Sequence, residues 1–256
     1  MKSVQPGRWR HLAGLLRSLW LYRRPGRLAG LKRLYRPLVP AGGLVFDIGA
    51  HLGDRTRAFR ALGARVVALE PQPGLMQWLE RFHGRDKGVT LLGLAVGAQP
   101  GHANLRVDPA NPSVATLSDD WIKQIRERNT GFARVDWDGV IEVELTTLDA
   151  LIERYGRPDF CKIDVEGFEV QVLAGLSRAL PALSVEFVAG TLERTRACVQ
   201  RLEQLADYRY NAVRGERREV IWPHWRTADA VIEWLDDGAD SIASGDIYAR
   251  RATLDQ

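Results

Sequence analysis

The sequence predicts an α/β fold, a mostly parallel sheet with helices on both faces, on three observations. Apolar runs of strand length alternate with helix-periodic segments from Val45 onward, as a parallel sheet with crossover helices requires. The run Leu44-Val45-Phe46-Asp47-Ile48 passes directly into Gly49-Ala50-His51-Leu52-Gly53-Asp54, which reads as a buried strand, a sharp turn and the opening of a helix. The next apolar run, Val66-Val67-Ala68-Leu69, ends in Glu70-Pro71 about 20 residues after Gly49, the spacing at which an acid meets ribose hydroxyls. Glycines suit such a corner because the backbone must turn tightly and admit a ligand, while the helix offers its free N–H groups.

The elements follow in order. A helix is expected from Thr56 to Leu62, the second strand from Val66 to Glu70, a helix around Leu75 to Phe82, and a third strand from Val89 to Leu94. Gly97-Ala98-Gln99-Pro100-Gly101 reads as a turn, with Ala103 to Val107 returning as a short extra strand. Residues 108 to 139 are polar and carry Pro109, Pro112 and Gly131, with one helical piece near Trp121-Ile122-Ile125. A long insertion inside a compact domain is either a lid over a substrate or a plain surface loop. Beyond it come a strand from Ile141 to Leu145, a helix from Leu148 to Tyr155, and a strand at Phe160-Cys161-Lys162-Ile163. A helix from Val170 to Leu180, a strand from Leu183 to Val188, a helix from Leu192 to Leu205 and a strand from Tyr208 to Val213 continue the alternation. A helix near Ala228 to Leu235 and a strand at Asp246 to Ala249 complete it.

With 256 residues, 45% of them hydrophobic, the chain can bury one sizeable core. We expect one domain over residues 41–256, with the insertion at 108–139, behind a basic extension over residues 1–40. Two cysteines, Cys161 and Cys198, are too few for a disulfide framework and lack metal-ligand spacing, which fits a reducing, cytoplasmic setting. The net charge of +4 is uneven. Lys2, Arg8, Arg10, Arg17, Arg23, Arg24, Arg27, Lys32, Arg33 and Arg36 all precede Asp47, the first acidic residue, so the body itself is acidic. No nucleic-acid-binding motif accompanies these charges, and no nucleic acid partner is expected. In the extension, Leu12, Leu15, Leu16, Leu19 and Trp20 form a helical stripe, and Leu28, Leu31, Leu34 and Leu38 suggest a second short basic helix. The stripe either caps the body or lays residues 8–36 on the inner face of a membrane; an Arg-rich transit peptide is the third reading.

Two stretches carry chemistry. Lys162 and Asp164 lie two residues apart and share a face near the carboxyl end of their strand, where open α/β sheets bind ligands. A buried lysine needs a partner, so the pair either serves catalysis or only ties strands together. Glu186 adds another inward-facing acid on the next strand. Trp222-Pro223-His224-Trp225 could stack on a sugar face or pack locally.

These residues give the chain a family resemblance. Phe46-Asp47-Ile48-Gly49-Ala50-His51-Leu52-Gly53-Asp54, Leu69-Glu70-Pro71, and Ala95-Val96-Gly97 with Gly101 resemble the first three motifs of the FkbM family of S-adenosylmethionine-dependent methyltransferases. Thr147-Leu148-Asp149, the run Lys162-Ile163-Asp164-Val165-Glu166-Gly167-Phe168-Glu169 and the closing Gly245-Asp246-Ile247-Tyr248-Ala249 are similar too, so the resemblance covers residues 44 to 250. It implies a Rossmann-like class I methyltransferase sheet of seven strands with the last antiparallel, and O-methylation of a hydroxyl on a sugar, a glycan or glycolipid, or a natural product. S-adenosylmethionine would then contact Asp47, Gly49, Ala50, His51, Gly53, Glu70, Ala95 and Val96. Asp164 is expected to act as acid-base residue, with Lys162 tuning it and Glu186 beside it; Mg2+ on Asp164, Glu166 and Glu186 is the less favoured alternative. Gly93 and Leu94 stand where members often carry a polar residue, and no histidine follows Glu186. A nicotinamide dehydrogenase is disfavoured because Ala50-His51-Leu52 crowd the place of the second glycine in G-x-G-x-x-G. An inactive binding module on the same fold remains the other alternative.

Overall fold

The computed structural model describes residues 26–108 and 110–252. Its main sheet has seven strands in the order β3-β2-β1-β7-β8-β10-β9. Strand β1 (Leu44–Ile48) lies near the centre, parallel to β2 (Arg65–Leu69) on one side and β7 (Phe160–Ile163) on the other. Strands β3 (Val89–Leu92) and β8 (Ala182–Val188) extend the parallel part, and β10 (Ser244–Arg251) inserts antiparallel between β8 and β9 (Tyr208–Arg214). This is the sheet that the resemblance implied.

Two expected elements end early. The third strand stops at Leu92; Gly93 and Leu94 break it, and Ala95–Val96 becomes β4 of a separate sheet, paired with β6 (Gly139–Thr146), which also pairs with β5 (Gly101–Val107). The helix expected to reach Leu180 covers only Glu169–Ala174, because Gly175 is pressed against the Gly97 carbonyl and a longer helix has no room to pass it. The insertion is ordered: a helix over Asp119–Arg128, capped by Ser118 Oγ accepting from Trp121 N, packs Trp121, Ile122 and Ile125 with Trp137 and Val188 into a cluster of its own.

Alternation along the strands sorts the core into two faces. Phe46, Ile48, Cys161, Ile163, Leu183, Val185 and Ile247 meet the helices Leu148–Tyr155, Glu169–Ala174, Leu192–Glu203 and Ala228–Asp236. Both cysteines are free and buried there. Trp222 joins the same face, edge-on to Trp234 at 5.0 Å with Arg226 above it, and Trp225 lies under Arg250. This tetrapeptide packs locally.

On the opposite face, Val45, Phe160, Ala182 and Tyr248 are covered by the first described helix, α1 (Arg27–Tyr35). Its buried residues Arg27, Leu31 and Tyr35 recur every four positions, one stripe of a short helix. Tyr35 is fully buried, with ring centroids 4.6 Å from Phe59 and 5.5 Å from Phe160. The second basic helix of the extension therefore packs on the sheet, with Leu28, Leu34 and Leu38 half-buried around it. The stripe from Leu12 to Trp20 lies outside the described residues. Among those described, no helix is long and apolar enough to cross a membrane.

Replacing Tyr35 by Ala should lower the unfolding free energy by about 3–5 kcal/mol, the usual cost of deleting a buried aromatic ring. Urea denaturation checks this; an unchanged midpoint would mean that α1 only rests on the sheet.

Candidate active site

The site is assembled at the carboxyl end of the parallel strands. After Ile48 the chain turns through three left-handed residues, Gly49 (φ 78), His51 (φ 51) and Gly53 (φ 80), before the helix α2 (Asp54–Ala61) begins. Gly49 and Ala50 donate their N–H groups to the Leu69 carbonyl, locking the turn onto β2. A Cβ on Gly49 would lie 1.9 Å from the Asp164 carbonyl oxygen, so only glycine lets the turns after β1 and β7 touch. Glu70 sits beneath the turn, accepting from His51 N at 3.0 Å and Gln72 N at 2.9 Å. Burial pushes its carboxyl up to about 7 against those two hydrogen bonds. Asp47 is fully buried and accepts from Thr56 Oγ1 at 2.6 Å, which ties the strand to α2.

Sheet register brings the charged side chains together. Asp47, Lys162, Ser184 and Tyr248 lie abreast across β1, β7, β8 and β10, all buried on the face that α1 covers. One step toward the carboxyl ends, Glu186 pairs with Asp246, and Asp164 continues from Ile163 beside them. Lys162 Nζ donates to Asp164 Oδ2 at 2.6 Å. Burial opposes the Lys162 charge, but Asp164 and Asp47 overcome it and hold its pKa above the ordinary value. Burial likewise opposes the Asp164 charge, and Lys162 holds that carboxyl below its ordinary range. Glu166 and Glu186 are driven well up by burial and by neighbouring carboxylates, Asp164 among them. Oxygens of Asp164, Glu166 and Glu186 lie within 4.8 Å of one another, a donor set that suits a hard divalent cation.

These groups open into one cleft of about 660 Å³. Glu70, Leu94, Ala95 and Val96 line it, as do Asp164, Glu166 and Glu186. The insertion adds Asp108, Ala110 to Ser113, Arg134 and Val135 to the lining. Gly49 and His51 line it too, whereas Asp47, Ala50, Gly53 and Lys162 stand behind the wall. The sequence-predicted residues thus separate into those that face the cleft and those that hold the facing ones in place. The His51 ring, buried, is lowered to about 4 and is neutral at physiological pH.

Sequence reasoning missed several contributors. Thr116 of the insertion donates to the Glu166 carbonyl at 2.6 Å, and Glu166 itself has a left-handed backbone, φ 51. Trp121 lies against Gly167 so closely that a Cβ there would fall 2.2 Å from its ring. Asp246, seen only as part of a motif, joins the carboxylate rank because β10 runs antiparallel. Glu216 lines the cleft and receives Arg27 at 2.9 Å and Arg55 at 3.4 Å, while both arginines also hold Asp54 at the start of α2. No local motif announces the pairs of Arg27 and of Glu216, because their partners lie far apart in the chain.

The family described as the methyltransferase FkbM domain matches residues 47–237. The hexuronic acid methyltransferase AglP of Haloferax volcanii is 27% identical over 147 residues, 57% of this chain and 54% of that relative, so the chain spans about half the length of the curated relative it matches. A TehB-like SAM-dependent methyltransferase from Corynebacterium glutamicum superimposes with a TM-score of 0.50 at 13% identity, covering 96% of this chain and 100% of that one; the likeness is one of fold.

Gly167→Ala tests the docking of the insertion on the carboxylate turn. Gly42 has nearly the same backbone, φ 77 against 86, but open space around its missing Cβ. Gly42→Ala should therefore cost about 1 kcal/mol from backbone strain alone, and Gly167→Ala roughly 1–3 kcal/mol more from the clash with Trp121. Equal losses in denaturant unfolding would show that the insertion yields freely.

Proposed function

We propose that this chain, which belongs to the FkbM methyltransferase family, transfers the methyl group of S-adenosylmethionine to a hydroxyl of a sugar acceptor. The carrying observation is that the glycine turn with Glu70 and the carboxylates Asp164 and Glu186 face one cleft. The relative named for hexuronic acid supports a sugar. When bound, S-adenosylmethionine supplies a methyl carbon already activated by its sulfonium.

The residues fit that cofactor. Glu70, a buried carboxylate at the cleft edge, suits two ribose hydroxyls. Leu94, Ala95 and Val96 offer an apolar wall to a base, and the carboxylates favour a cation beside them. Alignment supplies most of the acceleration, since a held hydroxyl needs no encounter with its partner. Asp164, kept ionised by Lys162, accepts a hydrogen bond from the acceptor hydroxyl and aims it. The acceptor hydroxyl must give up its proton when it is methylated, and the Asp164–Glu186 carboxylate pair would take it. Glu186, whose proton affinity is raised, retains it. The insertion contributes Asp108, Ala110 to Ser113, Arg134 and Val135 to the same cleft, where the acceptor would sit. A divalent cation on Asp164, Glu166 and Glu186 is the second reading, favoured by their spacing.

Cofactor affinity should rise with pH up to and somewhat beyond 7, because a ribose hydroxyl bonds the ionised Glu70 more strongly and the proton must leave first. Glu70→Gln should weaken binding by roughly 1.5–3 kcal/mol and remove the slope. Calorimetry at several pH values decides; unchanged affinity refutes the ribose assignment.

Asp164→Asn should cut turnover at least ~10-fold with cofactor affinity little changed. Turnover should also rise through a midpoint above the ordinary Glu value of 4.5, and Glu186→Gln should flatten that rise. Chelator should leave activity intact. Activity lost to chelator and restored by Mg2+ would replace direct proton transfer with the metal reading.

A further inference from the structure

The cleft is rich in acids and poor in cations. Glu70, Asp108, Asp164, Glu166, Glu186 and Glu216 all line it, and among the described residues Arg134 is the only Lys or Arg that does. Arg134 is exposed, belongs to the insertion, and has neither an ion pair nor a hydrogen bond in the described structure. With Val135 it also lines a neighbouring groove of about 510 Å³, whose other walls are Arg126, Ala133 and Asp136. Arg134 and Val135 thus border both spaces. Arg126 is held beside it, its guanidinium 5.2 Å above the Trp137 ring, which is itself fixed by donating to the Val114 carbonyl at 2.7 Å.

We propose that Arg134, with Arg126 behind it, forms an anion subsite that reads a carboxylate or phosphate on the acceptor. The proposal rests on the sugar-acceptor reading and adds the class of sugar: one bearing a negative charge away from the methylated hydroxyl. The carboxylates of the cleft repel an anion, whereas a neutral hydroxyl meets them without penalty. An acceptor carrying both groups is therefore oriented by the wall itself, hydroxyl toward Asp164 and anion toward the insertion. A guanidinium suits this because its planar fork matches either carboxylate or phosphate oxygens. Both arginines are solvent-accessible, so the attraction is screened over about 8 Å at physiological ionic strength and must weaken with salt.

The test is direct binding to the full chain in the presence of S-adenosylhomocysteine, by calorimetry, with three probes: p-nitrophenyl glucuronide, p-nitrophenyl glucoside and glucose 6-phosphate. We expect the glucuronide or the phosphate to bind at least ~10-fold more tightly than the neutral glucoside, and added salt to shrink the difference. Whichever anion binds more tightly identifies the source. Arg134→Gln should abolish the preference, Arg126→Gln should reduce it, and Lys123→Gln, on the exposed side of the same helix, should leave it intact. Because Arg134 holds no structural contact, its variant should unfold at the wild-type temperature. Equal binding of charged and neutral probes, or a preference that survives Arg134→Gln, overturns the subsite and leaves the sugar reading standing. Failure of all three probes to bind, with S-adenosylhomocysteine still bound, overturns both.

Discussion

The site depends on one buried cation. Lys162 lies within the sheet with only 3% of its surface exposed, flanked by Asp47 on β1 and followed by Asp164 at the strand end. Removing an ammonium from water costs several kcal/mol, so it persists only where anions meet it at close range. That condition fixes the geometry around it: Asp164 at 2.6 Å is not free to wander, and the turn that bears Asp164 is pressed against Gly49. One charge therefore couples the strand register to the glycine turn after β1. It also divides the carboxylates chemically. Asp164 is made a lasting anion, and Glu166 and Glu186, farther from Lys162 and closer to that anion, are left with a raised affinity for protons.

Topology supplies the rest of the cluster. Parallel strands deliver Asp47, Lys162, Asp164 and Glu186 to one edge, as any open α/β sheet delivers residues to its carboxyl end. Strand β10 runs the other way, so a residue near its beginning, Asp246, arrives at that same edge. Burial pushes Asp246 up to about 6, while Arg55 and Lys162 pull against that rise. The insertion then closes the site from the opposite side by gripping backbone: Thr116 on the Glu166 carbonyl, Asn129 on the Ala189 carbonyl. Backbone contacts suit this task because they fix the turn without engaging the side chains of the carboxylates.

What the sequence disclosed follows from the range of each interaction. The glycine turn, Glu70 and the Lys162-Asp164 pair were legible because their meaning lies in spacings of a few residues or in one strand-turn-helix unit. The alternating elements were legible for the same reason, and their errors fell where a distant backbone intervenes, as Gly97 does at Gly175. Glu216 and Arg134 were not legible. Each acquires its role only when segments far apart in the chain are brought to one cleft, and an exposed arginine in a polar insertion carries no local mark of what it faces. Asp47 shows the intermediate case: the motif marks it as a cofactor contact, whereas it lies within β1, is fully buried and accepts from Thr56, which ties the strand to α2.

The basic extension reads differently once its last part is seen in place. Lysines and arginines followed by leucines look, as sequence, like a surface that adheres to something outside the molecule. Arg27 instead turns inward, with 5% of its side chain exposed, and bridges Asp54 at the head of α2 to Glu216 at the cleft edge. Arg55 makes the same two contacts from α2 itself. Two arginines thus neutralise two acids across three segments, and the loop after β9 is tied to the start of α2 by a residue that precedes the first strand. Helix α1 also carries Tyr35 into the sheet, so its packing and its charge act on the same edge. Residues 26–39 are consequently part of the framework that shapes the cleft, and a change in how this helix sits would reach Glu216 through a single side chain.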